Sequence, residues 1–89
     1  MDNYKKIIDS LIDKMREEYA SDNREVTKVL NYEFLKGKLY GLYETVRELN
    51  GLDAFTELYS YREGERMEIN ILFNREIINP LYRVVESHI

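Results

Sequence analysis

The chain has no cysteine and no tryptophan, a single proline, a single histidine and only four glycines in 89 residues. Without cysteine there is no disulfide, no thiol nucleophile and no thiolate-built zinc site, a usage that agrees with a reducing compartment. The lone histidine, His88, stands one residue from the end of the sequence. A fraying terminus does not hold a general base rigidly, and no serine sits in a Gly-rich elbow, so a hydrolytic triad is not expected. Gly37 and Gly41 fall inside a helical pattern, and the Lys-Ser or Lys-Thr ending of a nucleotide loop is missing. Glu17 with Glu18, or Glu44 with Glu48, could face a divalent ion, but such pairs on solvated helices are ordinarily surface charge. No catalytic residue, cofactor or metal site is therefore expected. No stretch reaches the roughly 20 apolar residues of a membrane span, and the opening Met-Asp-Asn-Tyr-Lys-Lys lacks the apolar core of a secretory signal. A cytoplasmic protein without membrane association is the expectation.

The residues that are present describe a folded domain. Hydrophobic content of 44% with 34% charged residues is too apolar for a disordered chain. A length of 89 residues has room for one core, so the whole of 1–89 is expected to form a single domain. Such a chain buries only about 60 to 65% of the surface of its unfolded form, and any spare apolar face has consequences. Seventeen acidic against thirteen basic residues leave a net charge of -4, which opposes general affinity for phosphate backbones but permits a local basic patch. Eight tyrosines accompany only three phenylalanines. Rings with an apolar body and a polar tip suit half-buried places, either rimming a small core or forming a binding surface.

Hydrophobic periodicity predicts helices along most of the chain. Tyr4, Ile7, Ile8, Leu11, Ile12, Met15 and Tyr19 recur at spacings of three and four, with charged residues between them. Asp2 can cap this helix, and Lys5 with Asp9, or Asp13 with Arg16, can pair across one turn. Ser21 to Asn23 interrupt the pattern, and Asp22 followed by Glu25 has the form of a reciprocal cap for a second helix. That helix can run to Asn50, with Gly51 as its stop residue and Leu52 folding back on Val46. The short connection makes the first two helices antiparallel neighbours.

The second helix carries apolar residues on two sides. Tyr32, Leu35, Leu39, Leu42, Val46 and Leu49 form one stripe; Val26, Leu30, Phe34, Gly37 and Gly41 form another over its N-terminal half. Each glycine costs about 1 kcal/mol against alanine inside a helix. Two readings follow: tight packing within one protomer, or a seam between copies where backbones approach closely.

Asp53 can cap a third helix bearing Phe55, Leu58 and Tyr59, with Gly64 as its stop. Beyond Gly64 the signals conflict. Met67, Ile69, Ile71 and Phe73 alternate with polar residues as in a strand, which would make a β-hairpin over about residues 57–73. Glu63, Glu65 and Glu68 suit a helix start better, and a lone hairpin is marginal, so helix is preferred, with Met67 to Phe73 apolar all round. The end of the chain is helical, with a kink or a fresh start at Asn79 and Pro80.

The expected architecture is thus an all-α, compact bundle of four to five helices, with helix two as spine and the C-terminal helix closing the core. The expected function is a small non-enzymatic protein-binding module that modulates or inhibits a larger protein partner and forms a homodimer. Its interface candidates are Val26, Leu30, Phe34, Gly37, Tyr40 and Gly41, with Tyr59 and Tyr61 second. A nucleic-acid-binding regulator using Arg24, Lys28, Lys36 and Lys38 is the alternative, and a small-ligand-binding or sequestering protein a third. Richness in Lys, Glu, Asn and Tyr fits an accessory or phage-encoded protein of an AT-rich bacterial genome.

Overall fold

A computed structural model of the protein describes residues 1–87; His88 lies outside the described residues. Helix α1 (Asp2–Ala20) is followed by α2 (Glu25–Asn50), α3 (Leu52–Ser60) and α4 (Glu63–Phe73). From α4 the chain passes through a π-helical turn (Asn74–Ile78) directly into α5 (Asn79–Ser87), so the last three elements form one interrupted rod. Among the described residues there is no strand, and the hairpin over residues 57–73 does not form. The alternation of Met67, Ile69, Ile71 and Phe73 is resolved by a helix that buries Ile69 and Phe73 and leaves Met67 and Ile71 half exposed. No helix here is long and apolar enough to cross a membrane.

The core forms where the three-and-four spacing of each helix meets the others. From α1 it takes Ile8, Leu11, Ile12 and Met15; from α2, Tyr32, Leu39, Tyr43 and Val46; from the rest, Leu58, Ile69, Phe73 and Ile77. Aromatic rings knit its centre. Tyr32 stacks on Phe73 with centroids 4.1 Å apart, and its hydroxyl donates to Asn70 Oδ1 at 2.6 Å. Tyr43, almost fully buried, meets Tyr59 at 5.2 Å and Phe55 at 6.4 Å. Burial pushes the Tyr32 phenol up to about 12 and raises that of Tyr43.

Several local expectations are corrected. Neither Asp2, Asp22 nor Asp53 caps a helix: the caps are Met1, Arg24 and Gly51, none with a side-chain bond. Gly51 does end α2, with φ 92° and ψ 177°, but it also starts α3, its carbonyl accepting the Phe55 amide at 3.1 Å. One residue serving two helices throws Leu52 into solvent at 68% exposure instead of back onto Val46. Gly64 does not stop α3. The left-handed residue there is Arg62, with φ 55°, and Gly64 lies in the first turn of α4.

That strained position is held by charge. Arg62 donates to Asp9 Oδ1 at 2.8 Å, Asp13 Oδ1 at 3.0 Å and Glu65 at 2.8 and 3.0 Å. Asp9 and Asp13 therefore pair across helices, rather than with Lys5 and Arg16 along α1; Lys5 and Arg16 reach Glu57 and Glu65. The Arg62 guanidinium, aided at Asp9 by the Tyr61 hydroxyl, holds the Asp9 and Glu65 carboxyls below their usual range.

Pro80 explains the π-helical turn. Its ring would collide with the Glu76 carbonyl in a regular α-helix, and the widened turn just before it relieves that contact. The C-terminal segment closes the core only as far as Ile77, with Ile78 and Leu81 packed at its edge. No residue of α5 is buried, and Tyr82, Val84 and Val85 are more than half exposed.

Candidate functional site

The two stripes of α2 meet different fates. At 100° per residue, Val26, Leu30, Phe34, Gly37 and Gly41 occupy an arc of about 80° that lies roughly opposite Leu39, Tyr43 and Val46. Of the inner stripe Tyr32, Leu39 and Val46 are buried, Leu35 and Leu42 partly so, and Leu49 is exposed; Tyr43 joins the buried set unannounced by the heptad-like spacing, and the outer set faces solvent. Val26 is 60%, Leu30 65% and Phe34 63% exposed. A Cβ built at Gly37 or Gly41 meets nothing within 4 Å. Packing inside the protomer is thus excluded as the reason for these glycines. They form a smooth floor at the C-terminal end of an apolar ridge, and Lys38 Nζ lies 4.5 Å over the Phe34 ring beside it.

On one flank the ridge borders a groove of about 290 Å³ between the start of α2 and α5, lined by Val26, Val29, Ile78, Leu81, Tyr82 and Val85 with Glu33 at its rim. Scattered exposed apolar residues are ordinary; a contiguous face running from α2 onto α5 is not. On the other flank Lys6, Lys14 and Lys38 rim a shallow trough floored by Ile7, Leu11 and Leu42.

The remaining interface candidates separate from this face. Tyr61 is partly buried and donates to Asp9 Oδ1 at 2.9 Å, bracing α1 against the α3–α4 turn. Tyr40 and Tyr59 belong to a second site that sequence reading missed. There Arg66, only 7% exposed, lies 4.3 Å over the Tyr59 ring and within 6 Å of Tyr40 and Tyr43. It donates to the Tyr40 hydroxyl at 3.1 Å and to the Tyr59 carbonyl, near the C-terminus of α3, at 3.2 Å. Arg66, Tyr40 and Tyr59 line a pocket of about 240 Å³ together with Lys36, Glu63 and Asn70. The only clue in the sequence was the placing of one arginine three residues before Ile69 on the core side of α4, lost among four neighbouring charges.

Three of the four basic residues named for nucleic-acid contact make contacts within the protomer. Lys28 Nζ donates to the Tyr19 carbonyl at 2.9 Å, Lys36 lies over Tyr32, and Lys38 over Phe34. Among the described residues no cluster of three or more His, Asp or Glu has the arrangement of a metal site. Comparison with known protein families, characterised proteins and solved structures finds no match.

Proposed function

We propose that this chain is a small, cytoplasmic, non-enzymatic protein-binding module that pairs with a second copy through the outer face of α2 and modulates a larger protein partner. The observation that carries the reading is the exposed face itself: three large apolar side chains and two open glycines opposite the core of a helix 26 residues long. Water against such a ridge costs about 25 cal/mol per Å² of apolar surface, a penalty that any close-fitting neighbour removes. A second α2 fits. An antiparallel crossing centred between Gly37 and Lys38 sets Phe34 of each copy over Gly41 of the other, a ring filling the hollow that a missing side chain leaves. Pairing of this kind leaves the α2–α5 groove, with Tyr82 and Val85 on its wall, for the larger partner.

Light scattering on the purified protein tests the pairing. The wild type should weigh twice its 10.7 kDa chain mass, and Gly41→Trp should fall to the chain mass with unchanged helix content, because a side chain there meets open space in the protomer. A wild type of single-chain mass, or a Gly41→Trp variant that keeps the doubled mass, rejects the seam. Affinity capture from the native host, with Tyr82→Glu as control, tests the groove: a partner retained equally by both proteins does not bind there.

A further inference from the structure

Two arginines four residues apart on the same stretch of chain are treated oppositely. Arg62, partly exposed, has three carboxylates around it. Arg66, more deeply buried, has no carboxylate within ion-pairing distance among the described residues. Its guanidinium is held by tyrosine faces, one phenol and one backbone carbonyl, and its Nε has no acceptor at all. The Tyr43 hydroxyl, also buried, lies beside the same guanidinium without a hydrogen bond of regular geometry. A desolvated cation costs several kcal/mol, and a helix C-terminus returns only about half a unit of opposing charge. Buried polar groups left without partners in this way call for an explanation.

We propose that the Arg66 pocket binds a small planar monoanion, with an aromatic carboxylate as its chemical class. The carboxylate supplies the acceptor that the guanidinium lacks, and the planar body lies among the Tyr40 and Tyr59 side chains that line the pocket. The size is limited: about 240 Å³ lies below the usual range for drug-sized ligands. The charge is limited too. Lys36 and Arg66 line the pocket with two positive groups and Glu63 opposes them with one negative, leaving a single net positive charge that matches a carboxylate and not a dianionic phosphate. This site shares no residue with the α2 ridge, and it stands whether or not copies of the chain pair.

Titration calorimetry with benzoate, acetate and inorganic phosphate tests the proposal, alongside the side-chain Nε–Hε resonance of Arg66 in a ¹⁵N-labelled sample. Benzoate should bind saturably and shift that resonance, more tightly than acetate, while phosphate at pH 8 should not bind. Arg66→Met, in which an apolar chain of similar length replaces a buried charge at little cost to folding, should weaken benzoate by about tenfold or more. Glu63→Gln, at the rim, should tighten benzoate and admit phosphate. No saturable benzoate binding up to about 10 mM overturns the proposal, as does binding that survives Arg66→Met in a variant of unchanged helix content. Phosphate bound by the wild type as well as benzoate overturns the monoanion assignment.

Discussion

Alanine at Gly37, Gly41 and Gly51 should act in opposite directions, although an added methyl meets nothing within 4 Å at any of the three. Gly37 and Gly41 sit in regular helix, where glycine gives up backbone entropy that alanine does not, about 0.8 to 1 kcal/mol per position. For a domain of this size each alanine should raise the melting temperature by about 4 to 8 °C. Gly51 is different. Its φ of 92° with ψ of 177° falls in a region open almost to glycine alone, so alanine should cost about 1 to 3 kcal/mol with no steric clash involved. Thermal unfolding followed by circular dichroism in dilute protein, where pairing is suppressed, reads all three. At high concentration the gain at Gly41 should shrink, because the methyl occupies the hollow proposed for Phe34 of the second copy. A loss of stability at Gly37 or Gly41 in the dilute protomer would refute the account of an uncovered outer face, and a neutral Gly51→Ala would refute the backbone argument.

Acid should unfold the protein partly through the Arg62 network. Asp9 and Glu65 titrate below their ordinary values of 3.8 and 4.5 in the folded state, so the stability they confer is present above those values and is lost as pH falls through the depressed ones. Urea melts between about pH 2 and 6 should show this slope in the wild type and a flatter one in Arg62→Gln; equal slopes would remove the network as its cause. Alkali should act through the tyrosines. With Tyr32 raised from 10.0 to about 12, stability is full below about pH 10 and falls as pH rises toward 12, and the Tyr32 share of tyrosinate absorbance, read as the difference from Tyr32→Phe, should appear together with loss of helix signal. A tyrosinate signal at pH 10 that Tyr32→Phe removes, with the helices intact, would contradict the burial of this ring.

The sequence by itself determined the first two helices and much of the core, and left residues 57–73 between helix and hairpin. Three-and-four spacing is a local property, so Ile8, Leu11, Ile12 and Met15, or Leu39 and Val46, announce a buried face before any partner is known. The same periodicity showed that α2 has a surplus stripe, because a helix has only one side to give to one core. It did not show Tyr43, whose ring is buried off the heptad line by neighbours from α3. Nor did it locate the turn residues: Asp2, Asp22, Asp53 and Gly64 have the right chemistry for caps and stops, but cap strengths of about 1 kcal/mol yield to tertiary contacts. Arg62 takes the left-handed position in place of Gly64 because three carboxylates, two of them some 50 positions away in the chain, hold its side chain. The Arg66 pocket was illegible for the same reason. What made it a site was the absence of a counter-charge and the gathering of Tyr40, Tyr43 and Tyr59 from two other helices, and proximity between distant segments is a property that only the folded chain possesses.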